Sequence, residues 1–277
     1  MTAPAVELAG VDKTFAAGGG GAVHALSGIE LRIAPGEFVS LIGPSGCGKS
    51  TLLRLIADLD EPTSGELTVF GKSARQARLD QDYGIAFQQS GLLEWRSVAE
   101  NVELPLHVHG VAKAERRARA AELLELVGLA DFAGHRPSQL SGGMQQRAEI
   151  ARVLITEPRV VLMDEPFGAL DAQTRVMMQE LLLDLWAQVR ATVVFVTHDI
   201  DEALFLADRI VVLSARPGRI RETITVDLPR PRSQELTTDP AFIRLKRGCL
   251  DLVREEALKG LARGNDSLRP AMLARSG

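Results

Sequence analysis

The sequence predicts an α/β fold in which a phosphate-binding loop joins a buried strand to a helix. Residues 38–42 form a short apolar run, residues 43–51 read Gly-Pro-Ser-Gly-Cys-Gly-Lys-Ser-Thr, and a helical pattern follows at 52–56. Two further apolar runs, at 160–163 and 192–196, come after a long helical stretch. Strands that alternate with helices are typical of the α/β class.

The loop at 43–51 has the sequence pattern of a phosphate cradle. Its three glycines lack a Cβ, so backbone N–H groups can turn toward an anion, and the next helix directs the positive end of its dipole to the same place. Lys49 is expected to reach the β- and γ-phosphates, and Ser50 to place a hydroxyl on Mg²⁺. A chance glycine-rich turn is the alternative interpretation. The expected nucleotide-binding residues are Gly43, Pro44, Ser45, Gly46, Cys47, Gly48, Lys49, Ser50 and Thr51.

A second group of motifs follows the loop in a fixed order. In chain order they are Gln88, the Leu-Ser-Gly-Gly-Met-Gln-Gln-Arg stretch at 140–147, Asp164 with Glu165, Asp171, and His198. With the loop, they make residues 5–220 resemble the ATP-binding cassette (ABC) ATPases. The resemblance implies a P-loop NTPase (RecA-like) α/β core with an antiparallel β subdomain and an inserted α-helical subdomain. It also implies that the chain binds ATP and Mg²⁺ and hydrolyses ATP.

The resemblance implies catalytic roles for three side chains. Glu165 ends a strand near the γ-phosphate, where a carboxylate can act as a base toward the attacking water. An acid at a helix N-terminus is the alternative for Glu165, because Pro166 follows it. His198 is expected to contact the γ-phosphate and to couple to Glu165, and Gln88 is expected to sense the attacking water. The expected ligands of Mg²⁺ are Ser50, Gln88 and Asp164.

The resemblance also implies a dimer with two composite nucleotide sites. The 140–147 signature begins a helix, whose N–H groups form a second anion site. In the family this site closes on the γ-phosphate bound by the other subunit, and the residues assigned to it are Ser141, Gly142, Gly143 and Gln145. Asp171 is expected in the loop that bridges the two sites, and Phe15 takes the place of the adenine-stacking aromatic residue. The partner is either a second copy or a paralogue.

The chain divides into a discontinuous core, an inserted helical part and a tail. Residues 1–90 and 159–220 are predicted to form the ATP-binding α/β core, and residues 91–158 the helical signature subdomain. Residues 221–277 are predicted to form a C-terminal tail with a strand, a proline-rich turn and a helix. The glycine run at 18–21 is interpreted as a flexible hairpin turn, because no Lys-Ser pair follows it.

Composition restricts the functional class and the location. A net charge of −4 and a pI near 5.8 argue against a nucleic-acid partner, since such proteins usually carry a basic excess. No apolar run approaches the roughly 18 residues that a membrane span needs, and the N-terminal segment lacks the basic and apolar regions of a signal peptide. We therefore expect a cytoplasmic protein whose two cysteines, Cys47 and Cys249, are reduced.

The expected partner is an integral membrane permease. Leu93 and Trp95 are expected to be exposed at the joint that, in the family, meets a coupling helix of the permease; packing of Trp95 within the helical part is the alternative. Residues 197–220 are similar to the ATPases of the nitrate/sulfonate/taurine importer group. This similarity implies import of nitrate, a sulfonate, taurine or a related small solute, an indirect solute-binding partner, and a peripheral position on the cytoplasmic face of the inner membrane. An export or membrane-remodelling complex is the alternative function.

Overall fold

The structure, a computed structural model, describes residues 3–16, 21–88 and 90–273, and for residues 261–273 it describes the backbone alone. The turn predicted at 18–21 therefore lies mostly outside the described residues. The strands are β1 (Val6–Ala16), β2 (Ala22–Ile33), β3 (Phe38–Ile42), β4 (Ser64–Val69), β5 (Lys72–Ser73), β6 (Tyr83–Ala86), β7 (Val160–Asp164), β8 (Thr192–Val196), β9 (Arg209–Leu213) and β10 (Ile220–Thr225). The helices are α1 (Lys49–Ile56), α2 (Ala74–Leu79), α3 (Val98–Val102), α4 (Leu104–Val108), α5 (Lys113–Leu126), α6 (Gly142–Leu154), α7 (Ala172–Val189), α8 (Ile200–Leu206) and α9 (Pro240–Leu273).

The larger sheet forms the centre of the fold. Among the described residues its strand order is β10-β9-β3-β8-β7-β6. β6, β7, β8, β3 and β9 run parallel, and β10 pairs antiparallel with β9 at one edge. Every residue of β3 and β8 is buried, which explains why these strands read as continuous apolar runs rather than as alternating patterns.

The two faces of this sheet belong to two separate apolar clusters. On β3, Val39 and Leu41 pack with residues of α1 and the smaller sheet, whereas Phe38 and Ile42 pack with residues of α3 to α9. The alternation follows from the two-residue period of a strand. Burial on both faces fixes the register of the central strands, because a shift of one residue would exchange the two faces.

The smaller sheet is antiparallel, with strand order β2-β1-β4-β5 in the described part of the chain. At the end of β2, Leu31 and Ile33 are buried while Glu30 and Arg32 are exposed, as their alternating pattern predicts. This sheet brings Phe15 of β1 and Ala25 of β2 to the edge of the phosphate loop. Its position therefore determines one wall of the cleft described below.

Helices α3 to α6 lie between β6 and β7 in the chain. The loop before α3 is held by Asn101, which is fully buried. Its Oδ1 accepts from the backbone N of Leu93 at 2.7 Å, and its Nδ2 donates to the carbonyl oxygens of Leu93 at 3.1 Å and Ser97 at 2.9 Å. These bonds fix the segment that carries Trp95.

The C-terminal segment continues from β10 into a 3₁₀ turn at 234–238 and helix α9. Phe242 and Cys249 of α9 are buried against the larger cluster. Within the described residues, no helix combines the length and apolar content that crossing a membrane requires.

The buried side chain of Arg232 caps the C-terminal end of α8. Its Nη1 donates to the carbonyl oxygens of Leu204 at 3.1 Å, Phe205 at 3.0 Å and Ala207 at 2.7 Å. The last carbonyls of a helix have no partner inside the helix, so this guanidinium satisfies groups that burial would otherwise leave unpaired. Burial lowers the pKa of Arg232 to about 10, and the side chain therefore stays charged at neutral pH.

We predict that Arg232→Met lowers the free energy of unfolding by about 2–4 kcal/mol, because the buried carbonyls lose their donor. Denaturant titration measures the change. Arg247→Met is the matched control, since Arg247 is exposed on α9, and it should change stability by less than about 0.5 kcal/mol. Equal losses in the two variants would contradict the capping role.

Candidate active site

The phosphate loop lies between β3, which ends at Ile42, and α1, which begins at Lys49. Gly48 has a φ of 105° in the left-handed region, and a Cβ added there would lie 2.6 Å from Leu26 Cδ2 and 3.1 Å from the Ala25 carbonyl oxygen. Only glycine fits both the conformation and the space. The loop is therefore packed directly against β2.

The amine of Lys49 lies inside the loop. Its Nζ donates to the carbonyl oxygens of Gly43 at 2.9 Å and Pro44 at 3.3 Å, and the residue is buried. The loop's cation is thus held close to the backbone amides of the same loop. This arrangement concentrates positive charge where an anion would bind.

A cleft of about 490 Å³ opens over this loop. It brings together the predicted stacking residue Phe15, most of the phosphate loop, and the predicted catalytic pair Glu165 and His198. The remaining lining residues include Val23, Ala25 and Arg216. Phe15 is partly exposed, and Lys13 Nζ lies 4.8 Å from the centre of its ring. An aromatic face, a phosphate cradle and a carboxylate–imidazole pair therefore share one cleft.

Ser50 and Asp164 meet at the start of α1. Ser50 Oγ donates to Asp164 Oδ1 at 3.0 Å. Burial raises the pKa of the Asp164 carboxyl, while the hydrogen bond from Ser50 opposes that rise. A hydroxyl and a partly buried carboxylate are hard oxygen donors, so the pair fits Mg²⁺ chemically.

Glu165 leaves β7 in an unusual backbone conformation. Its φ is 48°, in the left-handed region that non-glycine residues seldom occupy, and its N–H donates to the Val196 carbonyl oxygen at 2.9 Å. Its Oε2 lies 3.1 Å from His198 Nδ1, with the imidazole 65% exposed and the carboxylate 24% exposed. Strained backbone of this kind is often found at functional sites, where neighbouring bonds hold it in place.

Gln88 and the signature residues lie outside this cleft. Gln88 is exposed just after β6, and a Cβ added at Gly168 would lie 3.9 Å from both Gln88 Nε2 and Glu165 Cβ. The glutamine is therefore a neighbour of the Glu165 turn.

The signature forms the beginning of α6, as the sequence predicts. Ser141 is the N-cap, and its Oγ accepts from the Met144 N–H at 3.3 Å. Gly142 and Gly143 open the helix, and Gly143 has no room for a Cβ beside Thr174 of α7. Gly143 therefore lets the start of α6 pack closely on α7.

Gln145 and Asp171 make bonds within their own chain. Gln145 Nε2 donates to the Pro137 carbonyl oxygen at 3.0 Å, and its Oε1 accepts from Ser90 Oγ at 3.1 Å. Asp171 is the N-cap of α7, and its Oδ1 accepts from the N–H groups of Gln173 and Thr174. The bonds from Thr174 hold the pKa of Asp171 below its usual range. Both side chains organise the surface that surrounds the site.

Arg216 is the charged cleft residue that the sequence did not predict; Val23 and Ala25 are further lining residues without a predicted role. Its Nε donates to the Gly46 carbonyl oxygen at 3.3 Å across 170 positions of the chain. The stretch 197–220 contains this arginine, but its place in the cleft depends on β9 ending beside β3. Only the paired register of these strands could have located it.

Comparison with known proteins agrees with this geometry. The family model described as ABC transporter matches residues 26–168. The chain belongs to the ABC transporter family. It is 43% identical over 255 residues to the nitrate import ATP-binding protein of Synechocystis, covering 90% of this chain and 95% of that one. It is 46% identical over 257 residues to the taurine import ATP-binding protein of Rhizobium johnstonii, covering 93% and 96%.

A solved structure supports the same assignment. The dimeric, post-hydrolysis structure of the ATP-binding cassette MJ0796, bound to ADP and Pi, aligns with a TM-score of 0.71 and 39% identity over 81% of this chain and 100% of that chain. The predicted fold class is thereby confirmed. This ABC ATPase binds ATP and hydrolyses it. The predicted roles of individual residues stay predictions.

Glu202 on α8 is a buried carboxyl beside the predicted catalytic pair, Glu165 and His198. It accepts from Gln179 Nε2 at 3.3 Å, and burial raises its pKa from 4.5 to about 7. The bonds from Thr197 and Gln179 oppose this rise, and the charge of Asp199 adds to it. A raised pKa in the folded state means that folding favours the protonated carboxyl.

We predict that the free energy of unfolding falls by about 2–3 kcal/mol between pH 5 and pH 8 on account of Glu202. The stabilisation is complete below the unfolded pKa near 4.5 and is lost as the pH rises through about 7. Glu202→Gln should remove this part of the pH dependence and raise stability at pH 8 relative to the wild type. Denaturant titrations at both pH values test this, with exposed Glu222→Gln as the control. Parallel pH profiles for the Glu202→Gln variant and the wild type would contradict the assignment.

Proposed function

We propose that this chain is the ATP-hydrolysing subunit of an importer for nitrate, a sulfonate, taurine or a related small solute, and that it drives a separate membrane permease. The observation that supports ATP hydrolysis is that the phosphate loop, Glu165 and His198 line the same cleft. Similarity to nitrate and taurine import proteins over nearly their full lengths supports the transport role.

Hydrolysis in this cleft follows from the positions of a few groups. Lys49 and the loop amides offset the charge of the phosphates. Ser50, Asp164 and Gln88 would hold Mg²⁺, which supplies charge stabilisation at the phosphate oxygens when bound. Glu165 accepts a proton from the attacking water as its oxygen bonds to the γ-phosphorus, and the bond to ADP breaks. His198, 3.1 Å from the carboxylate, orients Glu165 and the γ-phosphate.

A dimer completes the proposed site. Ser141, Gly142, Gly143 and Gln145 do not line the cleft of their own chain, yet the N-terminus of α6 offers a helix dipole and free N–H groups. The similar cassette MJ0796 is dimeric. We infer that each signature closes on the nucleotide of the other subunit, which is a second copy or a paralogue, and that Asp171 lies between the two sites.

The permease contacts the loop around Trp95 in this proposal. Trp95 is 69% exposed, which contradicts the alternative that it packs within the helical part. Leu93, expected to be exposed, is instead half-buried because Asn101 binds its backbone on both sides. The docking surface therefore centres on Trp95, with Phe87, 42% exposed, nearby in sequence. A complex of this kind places the chain on the cytoplasmic face of the inner membrane, with a solute-binding protein as an indirect partner.

We predict that Glu165→Gln binds ATP, loses at least about 100-fold in ATP turnover and accumulates as an ATP-bound dimer, because the amide cannot accept the proton of the attacking water. Phosphate release and sedimentation measure these effects. Glu157→Gln, an 81% exposed side chain away from the cleft, should behave like the wild type. Wild-type turnover in the Glu165→Gln variant would contradict its role as the base.

We predict that the tagged chain, purified from solubilised membranes, retains a polytopic permease, and that Trp95→Ala lowers the recovered permease about tenfold while ATP binding is unchanged. Leu258→Ala is the control, because Leu258 is comparably exposed on α9. A solute-binding protein in the same complex supports import. A membrane subunit without such a protein would favour the export or remodelling alternative, and undiminished recovery with Trp95→Ala would remove Trp95 from the interface.

A further inference from the structure

Arg216 brings a second cation to the nucleotide cleft. It lies in the turn between β9 and β10, lines the cleft, and donates from Nε to the Gly46 carbonyl oxygen at 3.3 Å. A Cβ added at Gly46 would lie 3.6 Å from its Nη2. The guanidinium therefore rests on the phosphate loop itself, at the edge of the space where the triphosphate would lie.

In the part of the chain that the structure describes, no ion pair neutralises the charge of Arg216. Among the described residues, the carboxylate contacts of arginines include Arg175 with Asp199 and Arg230 with Asp208, but none involves Arg216. Its only hydrogen bond within the described chain goes to a neutral carbonyl. An arginine has five N–H donors, so most of them remain available to an anion in the cleft.

The turn that carries Arg216 is wedged between β2 and the phosphate loop. Gly218 donates to the Ala25 carbonyl oxygen at 2.9 Å and accepts from the Ser27 N–H at 2.9 Å. A Cβ at Gly218 would collide with the carbonyl oxygen of Cys47 in the loop. Ser214 braces the turn, since its Oγ donates to the Pro217 carbonyl oxygen at 3.2 Å and accepts from the Arg219 N–H at 3.0 Å. Contacts with β2 and with the phosphate loop thus fix the position of the turn that carries Arg216.

Glu256 of helix α9 also holds the turn that carries Arg216. This carboxylate is 4% exposed, and its Oε2 accepts from the Ala215 N–H, next to Arg216, at 3.2 Å. Its Oε1 lies 2.8 Å from Lys259 Nζ and 3.4 Å from Arg221 Nε, so the buried charge is compensated. The C-terminal helix is therefore connected to the nucleotide cleft through Ala215, the residue that precedes Arg216.

We propose that Arg216 is a further nucleotide-binding residue that contacts phosphate oxygens, and that Glu256 of α9 is the positioning residue that holds it there. The proposal rests on the assignment of this cleft to ATP. A planar, fully charged guanidinium suits phosphate oxygens better than any other side chain, and a position beside Gly46 places it on the phosphate side of the cleft rather than on the side of Phe15.

The test measures the affinity of the full-length chain for ATP, ADP and adenosine. We expect Arg216→Ala to weaken ATP binding about tenfold, ADP binding less, and adenosine binding not at all, with the effect on ATP falling as salt concentration rises. In turnover, KM should rise while kcat stays within about twofold. Arg219→Ala is the matched control, because Arg219 is an exposed arginine of the same turn that does not line the cleft.

Two further substitutions separate charge from bracing of the loop. Arg216→Gln can still donate to the Gly46 carbonyl oxygen but carries no charge, so the proposal predicts a loss close to that of Arg216→Ala. If Arg216→Gln binds ATP with wild-type affinity, Arg216 only stabilises the loop through its hydrogen bond to Gly46, and the proposal is overturned. Arg216→Lys keeps the positive charge but lacks the planar set of guanidinium donors, so it should lose only part of the affinity for ATP.

The role of Glu256 is tested through Arg216. Glu256→Ala should weaken ATP binding, Glu256→Gln should retain most of the affinity because it keeps an acceptor oxygen, and the Arg216→Ala/Glu256→Ala pair should be no weaker than Arg216→Ala alone. Additive losses would overturn the positioning role. Thermal unfolding confirms that each variant is folded.

Lys49→Ala distinguishes failure of this proposal from failure of the proposed function. If Lys49→Ala abolishes ATP binding while Arg216→Ala does not change it, the nucleotide cleft is upheld and the role of Arg216 is overturned. If Lys49→Ala binds ATP like the wild type, the assignment of the cleft itself is overturned, and the proposal for Arg216 fails with it.

Discussion

The parallel pairing of β7, β8, β3 and β9 is the constraint on which the whole site depends. Near their ends Asp164 pairs with Val196, Leu41 with Val196, and Ile42 with Val212. Because parallel strands in register end at the same edge, the segments that follow them meet there. The phosphate loop, Glu165, His198 and the turn carrying Arg216 each follow one of these four strands, and Asp164 is the last residue of β7. Residues more than a hundred positions apart thereby reach hydrogen-bonding distance, as Ser50 and Asp164 do at 3.0 Å.

Close backbone approach keeps that edge rigid. A Cβ at Gly43 would lie 2.8 Å from the Leu213 carbonyl oxygen and 2.9 Å from Cys47 Sγ, so the loop contacts the end of β9 without intervening side chains. Glycine is therefore required by packing as well as by the conformation that turns N–H groups toward phosphate. The carbonyl oxygens of Gly43 and Pro44 hold the Lys49 amine at the loop, so its charge lies beside the proposed phosphate site.

The sequence predicts the fold class and most of the cleft because their signals are local. An apolar strand, a glycine loop and a helix can be recognised within twenty residues, and the resemblance adds Glu165 and His198. Long-range contacts leave no such mark. Arg216 reaches Gly46 only through strand pairing, Gln145 binds Ser90 in its own chain, and Leu93 is drawn inward by a buried Asn101. In each case the missing information is which element packs beside which, and that is decided by the whole core.

In the proposed complex, the packing of α6 on the segment around Gln88 connects the nucleotide cleft with the surface around Trp95. Ser90 Oγ donates to Gln145 Oε1, and the Phe87 N–H donates to the buried Glu149 at 3.4 Å. Helix α6 therefore binds the chain on both sides of Gln88. Burial raises the pKa of Glu149, and the charge of Arg152, 3.6 Å from its Oε1, opposes this rise.

Two inputs meet on this segment in the proposed dimer. One comes from the chain's own nucleotide through Gln88, and the other comes from the partner's nucleotide through the N-terminus of α6. Asn101 ties the following loop, which carries the exposed Trp95, to α3 by four hydrogen bonds. In the proposed complex, the permease surface is thereby connected to the chain's own nucleotide through Gln88 and to the partner's nucleotide through α6.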